Sequence, residues 1–132
     1  MPSYQVNRAL TQAHYGGGEF AEILEVASQI TPGNNETFHV AWAKMGDKVY
    51  DLADNFAQNG NDVSARRSYL RAFNYLRTSE FFLVPSDNRK LPSYLKAREA
   101  FIKAIYRFDV KPLQVEVPFE GTSLSGYLFA LV

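Results

Sequence analysis

The segment from residue 64 to residue 83 reads SARRSYLRAFNYLRTSEFFL. Its apolar side chains recur at steps of three and four residues, and its arginines fall mostly between them. The periodic positions are Tyr69, Ala72, Phe73, Leu76 and Leu83. This spacing collects apolar side chains on one helical face, so the segment predicts an amphipathic α-helix with Asn61 or Asp62 as its N-cap.

The segments on either side repeat the helical period. From Glu19, apolar residues recur as far as Ile30, and Pro32-Gly33 ends that helix. Asn34 and Asn35 are N-cap candidates for a longer helix. Its apolar stripe runs through Phe38, Ala41, Trp42, Met45, Val49, Leu52, Ala53 and Phe56. These patterns predict two further helices upstream.

A fourth strong helix follows the segment Leu91-Pro92-Ser93, because proline suits the first turn of a helix. The residues that indicate this helix by their spacing are Tyr94, Leu95, Arg98, Phe101, Ile102 and Ile105. A shorter and weakly patterned helix is expected within residues 3–14. The sequence therefore predicts a mainly α fold, a bundle of four to five amphipathic helices in a helical domain over residues 1–111.

After Pro112 the apolar period changes to two. Apolar residues from Leu113 to Phe119 alternate with other residues as in a half-buried strand, and residues 120–123 supply a turn. Leu124 to Val132 is almost wholly apolar, as in a strand covered on both faces. Residues 112–132 therefore predict a β-hairpin. Two strands make a marginal sheet, so we expect this hairpin to continue into a larger one.

Composition restricts the function classes. The 14 basic and 14 acidic residues balance, which argues against nucleic acid or an anionic membrane as a partner. The chain has no cysteine, no signal peptide pattern and no apolar run of membrane-spanning length, so we expect a cytoplasmic protein. His14 and His39 are isolated and make a poor metal site. We expect no metal and no cofactor.

The pattern over residues 64–83, with Asp87-Asn88-Arg89 after it, resembles a family of α/β-hydrolases that carry an N-terminal helical cap. This family includes the 2,6-dihydroxypseudooxynicotine hydrolase, the fermentation-respiration-switch esterases and fungal hydrolases that trim polyketide chains. Further matching pieces follow in the same order: Tyr15-Gly-Gly-Gly18, Ala41-Trp42, Tyr94, Ala100-Phe101, Val115-Glu-Val-Pro-Phe-Glu-Gly121 and Gly126-Tyr127. The likeness spans nearly the whole chain, and it implies that residues 112–132 begin a truncated α/β-hydrolase core.

The resemblance implies ester or carbon–carbon bond hydrolysis by a serine triad that lies downstream in the intact enzyme. The family's nucleophile sits in a Gly-x-Ser-x-Gly elbow, whereas the loop Gly121-Thr-Ser-Leu-Ser-Gly126 has a different spacing within a hairpin. His14 and His39 precede this hairpin, although the family's histidine follows its acidic residue. We therefore predict no catalytic residue in this chain.

Two groups of residues are candidates for the site. Tyr69, Phe73, Arg77 and Phe81 recur every four residues and form a candidate substrate-facing wall. The same stripe also suits core or interface packing, the usual role of aromatic residues. Arg77, Glu80, Asp87 and Arg89 form a candidate structural ion-pair cluster around the following turn.

Two functions remain open. In the first, the chain is the cap of a hydrolase and packs against an α/β-hydrolase core domain. It then helps to form the cavity for an aromatic or polyketide-like small molecule. In the second, it is a free-standing helical module for protein interaction or dimerisation. In either case we expect residues 113–132 to associate with a core domain or with a second copy, because their apolar strands need cover.

Overall fold

The computed structural model describes residues 4–130 as five helices followed by two strands. The elements are α1 Tyr4–Ala13, α2 Phe20–Ser28, α3 Asn35–Gln58, α4 Asp62–Ser79, α5 Lys90–Ile105, β1 Leu113–Phe119 and β2 Thr122–Leu128. The predicted fold class, a mainly α bundle with a terminal hairpin, is confirmed. Residue 3 of the expected short helix and residues 131–132 of the expected last strand lie outside the described range.

The core lies where α3 packs along α4. Trp42 of α3 and Tyr75 of α4 are both fully buried, and their ring centroids are 5.5 Å apart. Gly46 makes the close approach of the two helices possible. A Cβ atom at this position would lie 2.7 Å from Leu76 Cγ, closer than carbon atoms pack. Gly46 therefore sets the spacing of the central helix pair.

The end of α4 corrects one sequence expectation. The helix ends at Ser79, so Phe81 and Leu83 lie in the following turn rather than on the helical face. Lys90 holds this turn: its Nζ lies 3.0 Å from the carbonyl oxygen of Glu80 and 2.9 Å from that of Leu83. Because the lysine binds these carbonyls, the chain turns back towards α5 instead of adding another helical turn.

The buried face of α5 also differs from the predicted one. Tyr94 and Leu95 are exposed, whereas Ile105, another predicted position, is buried together with a row of alanines. The fully buried alanines are Ala97, Ala100 and Ala104. Small side chains let two helices pack closely. The buried face of α5 therefore contains fewer of its large apolar residues than the sequence pattern suggested. Leu52 of α3, another predicted stripe member, is also exposed.

Strands β1 and β2 pair in antiparallel register, with Phe119 opposite Thr122 and Leu113 opposite Leu128. Glu120 and Gly121 form the two-residue loop with φ values of 45° and 79°, the positive values that tight hairpins favour. The last helix ends at Ile105 and the first strand begins at Leu113. The division into a helical domain over residues 1–111 and the start of a second domain over residues 112–132 stays a prediction.

The two faces of the hairpin have different surroundings. Side chains opposite each other across an antiparallel pair point to the same face. One face carries Leu113, Val115, Val117, Phe119, Leu124 and Leu128. Apart from the half-buried Val115, these residues are between 51% and 58% exposed, so the expected half-burial of β1 and two-sided cover of β2 are not found in this chain. The opposite face contacts the helices through Tyr127, whose ring centroid is 6.0 Å from that of Phe101.

Within residues 4–130, none of the helices combines the length and the apolar character needed to cross a membrane.

Candidate functional site

The candidate wall residues divide between the core and two surface grooves. Tyr69 is only 1% exposed, and its hydroxyl donates a hydrogen bond to Asp54 of α3. Burial and this carboxylate raise the pKa of Tyr69 to about 12. Since Tyr69 packs between α3 and α4, it serves the core. Phe73, Arg77 and Phe81 line grooves on the protein surface.

The larger groove, which we call the α4–α5 groove, has a volume of about 990 Å³. It lies between the end of α4, the turn and the start of α5. Arg77 forms part of its wall, with its guanidinium carbon 5.3 Å from the centroid of the Tyr94 ring. Phe81 and Leu91 add apolar surface, and Glu80 and Asp87 add carboxylates, so the groove mixes apolar contacts with charges of both signs.

The smaller groove, which we call the α1–α4 groove, has a volume of about 320 Å³. Its lining residues are Gln5, Arg8, Ala9 and Gln12 of α1, together with Phe73, Asn74, Arg77, Thr78 and Phe81. Asn74 Nδ2 lies 2.6 Å from Gln12 Oε1 and joins the two helices. The two grooves share Arg77 and Phe81, which therefore stand between them.

The four predicted ion-pair residues take part in two separate networks. In the first, Glu80 is buried between Arg77 and Lys90, and Lys90 Nζ is 2.9 Å from Glu80 Oε2. In the second, Arg89 pairs with Asp87 and also reaches Glu36 on α3, at 2.8 Å and 2.7 Å. The first network fixes the turn after α4, and the second ties the turn to α3.

Hydrogen bonding sets the charge states in the second network. The hydrogen bonds from Arg89 hold the pKa of Asp87 well below its usual range, and those from Arg89 also lower the pKa of Glu36. The paired carboxylates raise the pKa of Arg89 further. All three groups therefore stay charged at neutral pH. Such stable charge states suit a structural contact better than proton transfer.

The structure adds polar networks that the sequence did not reveal. Tyr75 donates a hydrogen bond to Glu22 of α2 at 2.6 Å and accepts one from the Glu19 amide at 2.8 Å. Arg71 also binds Glu22, with its Nε 3.1 Å from Oε2. Burial and the Glu22 bond raise the pKa of Tyr75. These partners are about 50 residues apart in the chain, and no spacing rule connects residues at such a distance.

Ser123 and His39 make hydrogen bonds within the fold. Ser123 lies in the hairpin and donates a hydrogen bond to Glu116 at 2.8 Å. The buried His39 has its Nδ1 atom 2.9 Å from the carbonyl oxygen of Ser79, so Nδ1 is the donor in that contact. Across residues 4–130, no hydrogen bond joins a serine hydroxyl to a histidine, and no group of three or more His, Cys, Asp or Glu could hold a metal ion.

The sequence of this helical bundle and hairpin is similar to segments of fungal α/β-hydrolases, and the chain is a relative of these enzymes. It is 36% identical over 132 residues to the hydrolyase poxO of Penicillium oxalicum, matching 96% of this chain and 31% of the relative. It is 35% identical over 131 residues to the α/β-hydrolase psoB of Aspergillus fumigatus, matching 96% of this chain and 29% of that protein. The predicted resemblance is confirmed.

A solved structure shows the same fold. The crystal structure of the 2,6-dihydroxy-pseudo-oxynicotine hydrolase superposes with a TM-score of 0.67 and 16% sequence identity, covering 88% of this chain and 32% of that one. No family model matches the chain. The chain thus spans about a third of the length of the hydrolases that it matches, in agreement with the predicted N-terminal segment.

Proposed function

We propose that this chain is the non-catalytic helical cap of a serine α/β-hydrolase, in which it helps to form the substrate cavity. The intact enzyme would hydrolyse an ester or a carbon–carbon bond. The core domain would supply the nucleophile, the acid and the histidine. The relatives support this proposal because they are named as hydrolases and the chain matches about a third of their length.

The observation that carries the proposal is the one-sided hairpin. Its apolar face is solvent-exposed, although the opposite face already contacts α5. An apolar sheet face of this kind needs a second layer, and free strand edges accept further strands. A hydrolase core offers both, because it consists of a β-sheet covered by helices. The hairpin would then join the cap to the core sheet.

The α4–α5 groove suits the wall of a substrate cavity. Its volume of about 990 Å³ lies at the upper end of the range for small-molecule pockets. Phe81 and Tyr94 would contact an aromatic or polyketide-like substrate, while Arg77 would orient its polar groups. When the cap and the core meet, water would be excluded from this surface, which strengthens polar contacts to the substrate.

A chimaera tests the proposal. This chain would replace the matching segment of the psoB hydrolase, and hydrolysis of p-nitrophenyl butyrate would be measured for the chimaera, for the core without the segment and for this chain alone. We expect turnover by the chimaera only. Turnover by the chain alone, or equal turnover by the core without it, would overturn the proposal.

Two hairpin substitutions sharpen the test. Val117→Asp places a charge on the exposed apolar face, and Ser125→Asp places the same charge on the opposite face of the neighbouring strand. We expect Val117→Asp to abolish activity of the chimaera by separating cap and core. Ser125→Asp should keep most of the activity. Equal effects of the two substitutions would show that the apolar face does not contact the core.

The same exposed face supports a second candidate function, a free-standing helical module that dimerises or binds a protein partner. In that case the apolar faces of two hairpins would cover each other. The oligomeric state of this chain, together with the activity of the chimaera, separates the two functions.

A further inference from the structure

We propose that the α1–α4 groove binds a small organic anion with an aromatic body, and that Arg8 and Arg77 hold its charged group. This inference goes beyond the cap function. The groove is built entirely from residues of this chain, so binding would not require a core domain.

One face of α1 forms one wall of the groove. Gln5, Arg8, Ala9 and Gln12 follow one another at steps of three, one and three residues, which places them on one face of the helix. Ala9 is buried and contributes little volume, so the longer polar side chains around it border an open space. The hydrogen bond between Asn74 and Gln12 fixes α1 against α4 at one side of this space.

The charges of the groove have one sign. Its lining includes two arginines and no aspartate or glutamate. Among the described residues, Arg8 makes no ion pair. Arg77 binds Glu80 through Nη1, and its Nε and Nη2 atoms make no other hydrogen bond within residues 4–130. Arg89, by contrast, binds carboxylates through three nitrogens.

Guanidinium donors that have no protein acceptor, and that line a groove, favour a carboxylate or phenolate ligand. Arginine presents planar, paired N–H groups that match the two oxygens of a carboxylate. The attraction is stronger in a groove than on an open surface, because less water surrounds the pair. The α4–α5 groove lacks this selectivity, since Glu80 and Asp87 add negative charge to its lining.

The remaining lining sets the shape of the ligand. Phe73 and Phe81 provide apolar walls, and Phe73 is supported by Phe101 with ring centroids 5.1 Å apart. Aromatic walls favour a flat apolar ligand that can stack or pack edge to face. A volume of about 320 Å³ lies at the lower end of the range for ligand sites, which suits one or two fused rings. Gln5 and Gln12 add amide groups to the lining.

Titration of the 132-residue chain with 2-naphthoate and with the neutral 2-naphthamide tests this inference. Calorimetry would give the affinities, and chemical-shift changes would locate the ligand. We expect naphthoate to bind at least about tenfold more tightly than naphthamide, which corresponds to the worth of a charge-assisted hydrogen bond. The shift changes should centre on Phe73, Phe81 and α1, and raised salt should weaken the binding.

Three substitutions localise the anion site. Arg8→Gln and Arg77→Gln should each weaken naphthoate binding by about tenfold or more while leaving naphthamide unaffected. Arg67→Gln removes an exposed arginine of α4, the helix that carries Arg77, at a position outside the groove. It should leave the affinities for naphthoate and naphthamide unchanged. Circular dichroism checks the fold of each variant, and the shift map of the unsubstituted chain does not depend on any variant folding.

The inference is overturned if naphthoate does not bind, if both ligands bind equally, if Arg67→Gln weakens binding as much as the groove variants, or if the shifts centre elsewhere. None of these results would affect the cap proposal, which is measured by hydrolysis in the chimaera. Conversely, an inactive chimaera would not alter naphthoate binding by this chain.

Discussion

Asn34 and Asn61 occupy the N-cap positions of α3 and α4, but their side chains differ in hydrogen bonding. Asn34 Oδ1 accepts hydrogen bonds from the amides of Glu36 and Thr37 at 3.0 Å and 3.1 Å, which confirms the predicted cap. Asn61 occupies the N-cap position of α4 and makes no such bond with its side chain. The same residue type therefore satisfies free helix amides at one helix and not at the other.

This difference gives a paired prediction. Asn34→Ala should lower the free energy of unfolding by about 1 kcal/mol, because two amides of the first turn lose their acceptor. Asn61→Ala should change it by much less. Urea unfolding followed by circular dichroism measures both values. A larger loss for Asn61→Ala would mean that the hydrogen bonds at Asn34 do not govern the stability of these helix starts.

At the residue scale, three of the four candidate wall residues, Phe73, Arg77 and Phe81, line the grooves, and Tyr69 lies in the core. Their contact with a substrate stays a prediction. A four-residue step put Tyr69, Phe73 and Arg77 in one row, but a helix turns 3.6 residues per cycle, so the row drifts around its axis. Tyr69 consequently faces Asp54 in the core, whereas Arg77 reaches the grooves. The partners of these residues, such as Glu36 for Arg89, could not be predicted because they lie on distant segments.

Among the elements, α5 shows why helix existence was easier to predict than helix orientation. Its apolar period and Pro92 mark the helix correctly, yet large residues such as Tyr94 remain exposed while Ala97 and Ala100 are buried. Which face a helix buries depends on the surface that meets it. On α5 the buried positions are mostly alanines, while Phe101 packs against Phe73 of α4, and the α5 sequence alone does not contain this arrangement.

The alanine face of α5 gives an element-scale prediction. Ala100→Leu should destabilise the protein by about 1–3 kcal/mol, because the added carbons must displace α4 or distort side chains in a filled core. Arg98→Leu introduces the same side chain at an exposed position of the same helix and should change stability little. Thermal unfolding compares the two variants. Equal stability would show that α4 and α5 separate easily.

The hairpin was predictable in its pairing and turn but not in its burial. Alternation from Leu113 and a Glu120-Gly121 loop are local signals, and the register agrees with them. Burial of the apolar face requires a second layer, and the ring contact between Tyr127 and Phe101 lies on the opposite face. The local sequence signals of the hairpin carry no information about such a layer.

For the whole molecule, buried tyrosines predict a loss of stability at alkaline pH. The pKa of Tyr69 is raised from the ordinary value of 10.0 to about 12, chiefly by burial and then by Asp54, and that of Tyr75 is raised as well. Below pH 10 both the folded and the unfolded chain keep these protons. Between about pH 10 and 12 the unfolded chain loses its protons first, so stability falls as the pH rises.

Unfolding midpoints in urea across this pH range, with phenolate absorbance recorded in parallel, measure the effect. Tyr69→Phe should flatten the pH dependence, although it also removes the bond to Asp54 and lowers stability at neutral pH. Tyr15→Phe, which alters an exposed ring, should leave the profile as it is. A profile that stays steep in the Tyr69 variant would assign the alkaline loss to other groups.

The exposed apolar face also determines how the whole molecule behaves in solution. Five residues of this face are more than half exposed and lie on one side of a two-stranded sheet with free edges. We predict that the purified chain self-associates through residues 113–132. An exposed apolar face packs against another apolar face, and an open strand edge pairs with another strand. Sedimentation velocity should therefore show dimers or larger species that dissociate on dilution.

The hairpin substitutions separate the causes of this association. Val117→Asp should give a monomer, because it puts a charge at the centre of the apolar face, whereas Ser125→Asp should associate like the unchanged chain. A monomer at high concentration without any substitution would contradict the prediction. If association is specific and dimeric while the chimaera stays inactive, the interaction module is favoured over the cap. If Val117→Asp abolishes both association and chimaera activity, the same apolar face serves both contacts.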